Sequence, residues 1–370
     1  MAILLTFKKK ISSIIFQICP VFKVRRFIQK MQVGHVEMYG GYDAYSHIME
    51  NCEYFLKKEK LENKSYMDEV FYDIVYCYLK YGTNANEYFY YNFPKRTSKE
   101  RATYLPRKRK DDLLIKNMGK NWNIYFDQIK DKYCFYKIAK DFFCRDACEI
   151  AAPSDYESFI FFMNKHKKVI AKPSRGGCGS GIIILDLLNF ENNTEKAFNH
   201  LLSFNTPFIL EEIVEQDTRI AQWNASSLNT LRIPSFRTAK GNRIIYPSIR
   251  IGRSGSIVDN AGSGGTFAAI DPQTGKIITK GYDKRGNSFD KHPDSQITYI
   301  GMQIPKWDEL LVFVRKMHES MAKEHKYLAF DLALSTKGWV VIEANWGEMS
   351  MPQIEFGKGL YKEFEDCLFS

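Results

Sequence analysis

The sequence predicts an α+β chain, in which a mainly helical, basic first third is followed by hairpins and glycine-rich loops. Three observations lead there. Tyr327 to Gly347, YLAFDLALSTKGWVVIEANWG, reads as two apolar strands joined at Ser335-Thr336-Lys337-Gly338. KVIAKPSRGGCGSGIIIL sets a small-residue loop between two short strands. MDEVFYDIVYCYLKYG carries apolar and aromatic residues at helical spacing and stops at Gly82.

The hairpin carries the chemistry. Gly338 suits the φ > 0 position of a three-residue loop, 336–338, which centres the pairing on Lys337. Asp331 then lies opposite Glu343, and Asn345 points to the same face. Half-buried carboxylates are costly, and a bound cation relieves that cost. All-oxygen ligands suit Mg²⁺, which also draws on substrate phosphates; Mn²⁺ is the alternative ion. The competing account is a solvent-facing polar stripe, and a one-residue slip in register would break the face.

Composition bounds the rest. The chain has 370 residues, 45% apolar and 26% charged, the profile of a folded protein long enough for two domains. Its eight cysteines are scattered without a CxxC pair, which speaks against zinc or a disulfide framework. Of the net charge of +10, residues 1–130 supply nine, with 23 Lys+Arg against 14 Asp+Glu. No apolar run reaches the ~20 residues of a bilayer span. The start, MAILLTFKKKISSIIFQICPVFKVRRFIQKM, lacks the charge order of a signal peptide. It suits a basic amphipathic segment, 1–30, at an anionic membrane surface or an ordinary packed helix.

In chain order, residues 35–92 read as helical, with Tyr88–Tyr91 as core aromatics rather than a base-stacking platform. KRTSKERATYLPRKRK, 95–110, is a phosphate-contacting stretch or a solvated, flexible one. Asp131-Lys132 opens an aromatic-rich helix closing near Cys144. SDYESFIFFMNKH is a helix with Ser154 as N-cap and Glu157 at capping-box spacing, and His166 as a cation near its C-terminus. Val169–Lys172 and Ile182–Leu185 flank the loop Ser174–Gly181. Its glycines allow close backbone approach to phosphate, although neither the P-loop nor the dinucleotide fingerprint is present. FILEEIVEQ, 208–216, is an apolar strand running into acids. LNTLRIPSFRTAKGNRIIYPSIRIG is a hairpin turning at Lys240-Gly241. SGSIVDNAGSGGTFAAID, 254–271, is a second glycine-rich loop of the substrate-covering kind. WDELLVFVRKMHESMAKEH is an amphipathic helix that leads to the hairpin.

Together KPSRGGCGSG, EEIVEQ and FDLALSTKGWVVIEANWG resemble the ATP-grasp superfamily, in the order seen in D-alanine–D-alanine ligases. NTLR, DNAGSGG and the helical N-terminal region look more like the sugar-transfer-associated ATP-grasp proteins. The resemblance covers about 130–356. It implies an ATP-grasp fold of two α+β subdomains gripping ATP, over 129–370. The smaller lid subdomain would take about 140–211 and the larger catalytic one 212–356, after a mainly helical region, 31–128. It implies phosphate contacts from Lys132 and Lys172, and a flap made by Ser174, Gly176, Gly177, Gly179, Ser180 and Gly181. The adenine and ribose hinge would be Glu211, Glu212, Ile213, Val214 and Glu215. Arg232 with Asn229 would face the triphosphate, and Asp331, Glu343 and Asn345 would hold magnesium.

One departure stands out. The ligases place an arginine two residues before the metal aspartate, and here that position is Ala329. Arg250 or Arg253 would have to replace it, or the acceptor chemistry differs. The expected activity is ATP-dependent carboxylate–amine ligation through an acyl phosphate, in bacterial surface-polysaccharide biosynthesis. A small-molecule or sugar kinase, or a non-catalytic ATP-binding accessory protein, are the alternatives. Expected partners are a small carboxylate and an amine on an amino acid or amino sugar, with polysaccharide-assembly enzymes or a membrane as peripheral partners. Nucleic acid is not an expected partner. The expected location is the cytoplasm or the inner face of the membrane.

Overall fold

The structure is a computed structural model that describes residues 44–370 apart from Cys178, Ile257, Asn260, Ala261, Ser263 and Glu348. The expected basic segment 1–30 lies outside the described residues. The chain divides into two compact units, one of residues up to Leu113 with 348–364, the other of 114–347 with 365–370.

The described part of the first unit is helical, with helices Ala44–Phe55, Lys64–Tyr81, Ala85–Tyr90, Ser98–Thr103 and Ser350–Glu355 among its elements. Asn63 caps the longest of these, and Gly82, at φ +76°, ends it where the sequence predicts a stop. Tyr88 and Tyr91 are buried with Phe71, Ile74, Phe93 and Tyr104, so the aromatics are core. The basic stretch 95–110 is not a free arm. Arg101 forks onto Asp73 at 2.6 and 2.9 Å and donates to the Phe93 carbonyl, and Arg109 donates to the carbonyls of Ala102 and Tyr104. Gln353 ties residues far apart in sequence. Its amide accepts from Leu105 N at 2.7 Å and donates to the Leu105 and Met349 carbonyls and to Tyr91 Oη.

The second unit holds two sheets. The four-stranded sheet comprises β1 (Ala147–Ile150), β2 (Lys168–Pro173), β3 (Ile183–Asp186) and β4 (Phe208–Glu212), in the order β1-β4-β2-β3. Strand parity sorts its faces. Val169, Ala171, Phe208 and Leu210 pack against Phe159, Phe162, Phe198 and Leu201 of helices Tyr156–His166 and Thr194–Leu202. Lys172 and Glu211 therefore fall on the opposite face. One local expectation is corrected. Asp155, not Ser154 with Glu157, accepts the Ala151 and Ala152 N–H groups before the helix. His166 stands in the last turn of that helix, as expected, and its imidazole meets the Asp146 carboxylate at 2.9 Å.

The larger sheet comprises β5 (Thr230–Thr238), β6 (Gly241–Ile244), β7 (Ser248–Ile251), β8 (Thr266–Ala269), β9 (Gly281–Tyr282), β10 (Ser288–Phe289), β11 (Tyr327–Ser335) and β12 (Gly338–Asn345). Its order is β10-β9-β8-β7-β5-β11-β12, with β6 on β5. The helix Trp307–Ser320 buries Leu310, Val314 and Met317. His318 is fully buried between Ser235 Oγ at 2.8 Å and the His325 carbonyl at 2.8 Å. Neutral imidazole fits both contacts, donating to the carbonyl and accepting from the hydroxyl. Among the described residues, no helix is long and apolar enough to cross a membrane.

Burial lowers the pKa of His318 and His325 to about 4 from 6.5. The unfolded chain therefore binds protons first, and stability is lost as pH falls from about 6.5 towards 4. Each histidine is expected to cost about 2 kcal/mol by pH 5, which urea unfolding at pH 7, 6 and 5 measures; a flat profile contradicts it. Gln353→Ala leaves both Leu105 backbone groups without this partner and is expected to destabilise by roughly 1–3 kcal/mol, read by the shift in denaturation midpoint.

Candidate active site

The site is a row of charges across one face of the larger sheet. Directly paired residues of neighbouring antiparallel strands share a face. Asp331 on β11 pairs with Arg232 on β5 and with Glu343 on β12, Ala329 pairs with Asn345, and Thr230 on β5 pairs with Arg250 on β7. Arg250, Arg232, Asp331, Glu343 and Asn345 thus stand together.

The Asp331–Glu343 pairing is the one predicted from the turn, but the path to it differs. The ladder closes with Ser335 opposite Gly338, leaving Thr336 and Lys337 outside it. Continued regularly, that register would put Asp331 opposite Ile342 and send Glu343 to the far face. An irregularity between Asp331 and Leu332 moves the partner from Val341 to Glu343 and leaves Ile342 as the extra residue. Gly338 does take φ +120°.

Asp331 is buried, and its carboxylate is already engaged. Arg232 donates from Nε to Oδ1 and from Nη2 to Oδ2 at 2.9 Å; Arg250 Nη1 donates to Oδ2 at 2.8 Å. Burial alone would raise the Asp331 pKa, but the two guanidiniums outweigh it and hold the carboxyl below its ordinary value. Glu343 goes the other way. Burial and then the Asp331 charge raise its pKa, with Arg232 offsetting part of the rise. Asn345 Oδ1 accepts from Gly347 N at 2.6 Å, and its Nδ2 lies 3.5 Å from Glu343 Oε1.

Ala329 has a steric explanation. It is fully buried, and a Cβ placed on Gly347 would overlap its methyl group. The chain after Asn345 therefore runs over position 329 and leaves no volume for an arginine there.

The smaller sheet contributes a second set. Glu211 is enclosed by Lys172 at 2.9 Å and by Arg145, which donates from Nε at 2.8 Å and Nη2 at 2.5 Å. The same arginine donates from Nη1 to the Val341 carbonyl of β12 at 2.6 Å. Burial would raise the Glu211 pKa; Arg145 and then Lys172 bring it below its usual value. Lys132 follows the cap Asp131, which accepts from Cys134 N at 2.9 Å. Its ammonium donates to the carbonyls of Pro173 and Gly176 at 3.0 and 3.2 Å, at the root of the glycine-rich loop. Burial lowers its pKa most; Glu343 raises it and Lys172 lowers it. It thus feels charges from both sheets.

Within the loop, Ser174 is a buried anchor: its N–H donates to Pro207 O, its carbonyl accepts from Lys132 N, and its hydroxyl lies 3.4 Å from Glu149. Gly176, Gly177, Ser180 and Gly181 are exposed, whereas Gly179 lies against Val258 of the second glycine-rich segment. Gly181 has φ +72°, and a Cβ there would come within 2.9 Å of Pro173 Cγ. At the end of β4, Glu212 meets Lys337 at 3.6 Å; beyond it Ile213 is exposed and Val214 is half-buried. Glu215 is exposed and accepts from Thr336 N through its backbone at 3.0 Å.

Two expected residues stand apart from the row. Asn229 is buried with both ends of its amide engaged, donating to Gln216 Oε1 and the Asn224 carbonyl and accepting from Gly252 N, so it braces backbone. Arg253 forks onto Asp294 at 2.8 and 2.9 Å. Sequence reasoning missed Arg145, whose only signal is its place just before the strand that pairs with Glu211. It also missed Asp259, inside the quoted DNAGSGG motif, which accepts from Arg250 Nη2 at 3.0 Å.

The sequence matches the family described as sugar-transfer associated ATP-grasp over residues 119–367. Among solved structures, D-alanyl-alanine synthetase A from Vibrio cholerae is similar at 12% identity over 65% of this chain and 65% of that one, with a TM-score of 0.38. D-alanine–D-alanine ligase from Helicobacter pylori is similar at 13% identity over 65% of this chain and 60% of that one, TM-score 0.41. The ATP-grasp ligase PsnB, complexed with a minimal precursor, is similar at 11% identity over 67% of this chain and 62% of that one, TM-score 0.40. The chain spans under two thirds of the length of each of these three proteins. No curated protein matches the sequence. The family match takes in more than half of the chain, with both sheets and the whole charged row, and the chain belongs to the sugar-transfer associated ATP-grasp family.

Proposed function

We propose that the protein is an ATP-dependent ligase that joins a small-molecule carboxylate to an amine, borne by an amino acid or amino sugar, in bacterial surface-polysaccharide biosynthesis. Family membership supports ATP binding. The observation that carries the reading is the row itself: two carboxylates and an amide oxygen beside two guanidiniums, on one sheet face.

The donor set fits a divalent cation. A carboxylate offers about four lone-pair sites. Arg232 and Arg250 use three on Asp331, which leaves one on Oδ1. Glu343 carries the repulsion of the neighbouring charge, which a cation relieves. Asn345 Oδ1 keeps a second lone pair beside its Gly347 contact. Asp331, Glu343 and Asn345 would hold Mg²⁺, or Mn²⁺ in its place, which offsets phosphate charge during phosphoryl transfer.

The chain's own residues do the rest. Lys132 and Lys172 neutralise phosphate charge, with Glu211 and Arg145 orienting Lys172. The strand end from Glu212 to Glu215 receives adenine and ribose, and the exposed glycines of 176–181 close over the phosphates and exclude water. Arg232 and Arg250 stabilise charge as a carboxylate oxygen bonds to the γ-phosphorus and the bond to ADP breaks. The amine nitrogen then bonds to the acyl carbon, phosphate leaves, and one proton is released.

Incubation with Mg-ATP and a panel of amino acids and nucleotide-linked amino sugars is expected to release ADP and phosphate together, with an amide product by mass. A stable phosphorylated product without amide would replace the ligase by a kinase. Wild-type protein that binds ATP and turns over none with any acceptor would point to an accessory role. Two variants separate the carboxylates. Glu343→Gln removes a repelling charge and is expected to leave apo-protein thermal stability equal or higher, while ADP release falls about 10²-fold or more. Asp331→Asn leaves Arg232 and Arg250 without their buried counter-charge and is expected to destabilise by roughly 3–5 kcal/mol. Equal destabilisation by both would contradict the assignment.

A further inference from the structure

Asp259 is buried, and both its carboxylate oxygens are in use. Oδ1 accepts from Arg250 Nη2 at 3.0 Å; Oδ2 accepts from Thr230 N at 3.0 Å and from Thr230 Oγ1. Thr230 and Arg250 are themselves direct cross-strand partners on β5 and β7. Asp259 therefore clamps this pair from the segment that follows β7. That segment is fixed independently at its start, where Arg253 and Ser254 N bind Asp294 and His292 lies 3.2 Å from the Gly252 carbonyl.

Arg250 is thus shared between two carboxylates of different kinds. Asp331 belongs to the candidate cation triad, and Asp259 does not. A cation on Asp331 draws on the same electron density as the Arg250 contact and weakens it. An arginine held by Asp331 alone would then regain its side-chain freedom. The second carboxylate prevents this, because Asp259 keeps the planar fork aimed along the sheet face. No arginine can come from position 329, where Gly347 fills the volume. Arg250 is then the guanidinium that stands beyond Arg232 on the side of Asp331 away from Glu343.

We infer that Asp259 is a positioning residue, which holds Arg250 against the terminal phosphate and so makes this pair the device that distinguishes a nucleoside triphosphate from a diphosphate. The inference rests on the nucleotide-site reading above.

Binding of Mg-ADP and of a non-hydrolysable Mg-ATP analogue to the full chain, by calorimetry, tests it without any acceptor. Wild type is expected to prefer the triphosphate. Arg250→Ala and Asp259→Asn are each expected to reduce that preference about 10-fold with little change for Mg-ADP, and the double variant no further, because the two residues act as one unit. If Asp259→Asn does not fold, Arg250→Lys reads the same quantity, since an ammonium cannot bridge both carboxylates as the fork does. Its loss of preference supports the inference and its retention overturns it. Asp259→Asn that folds and keeps the preference while Arg250→Ala loses it overturns the inference and leaves the nucleotide site standing. Wild type that binds neither nucleotide overturns both.

Discussion

Two carboxylates facing each other across adjacent strands are the constraint from which the site follows. Asp331 and Glu343 are direct partners across β11 and β12, and β11, paired on both sides, is buried along its length. Neither can be hydrated as in water, so the sheet supplies positive charge instead. Arg232 comes from the next strand and Arg250 from the one beyond. The consequence is an asymmetric pair: one carboxyl compensated by guanidinium and held ionised, the other left with a raised pKa. That asymmetry leaves the repelled carboxylate on one side of Asp331 and the guanidiniums on the other.

The smaller sheet solves a related problem with the same device. Its helix-covered face is apolar, so parity drives Lys172 and Glu211 to the other side. A lone buried Glu211 would be costly, and Arg145 and Lys172 compensate it. Because Arg145 also binds a carbonyl of β12, the charge pair of one sheet is fastened to the strand that carries Glu343 and Asn345. The segment after β4 adds backbone contacts, with Asp217 N donating to the Leu334 carbonyl and Thr336 N to that of Glu215. The hairpin turn is thereby a docking point as well as a connection.

Packing also decides what the site lacks. Gly347 lies over Ala329, so the side chain that would project from that strand is confined to a methyl group. The cationic groups of the row come from β5 and β7 instead. Asp259, on the glycine-rich segment after β7, joins the row through Arg250.

Much of this was legible in the chain itself. Periodicity located the long helix ending at Gly82, the glycine-rich loop between β2 and β3, and the hairpin with Asp331, Glu343 and Asn345, because side-chain alternation and turn chemistry are local properties. Even so, the pairing of Asp331 with Glu343 was reached through a loop of the wrong length. The bulge at Ile342 restores the register, and no residue type there announces it. Arg145, Asp259 and the bracing contacts of Asn229 were out of reach for the same reason: each depends on which distant strand lies beside it. The basic stretch around Arg101 read as phosphate-contacting or as solvated and flexible, since its partners Asp73 and Phe93 are brought to it only by helix packing. The sequence by itself determined the element types and the residues with chemical capacity, because those follow from local geometry and composition. Tertiary structure alone decided which charges face each other, since a buried ion finds its partner through the fold and not through its neighbours in the chain.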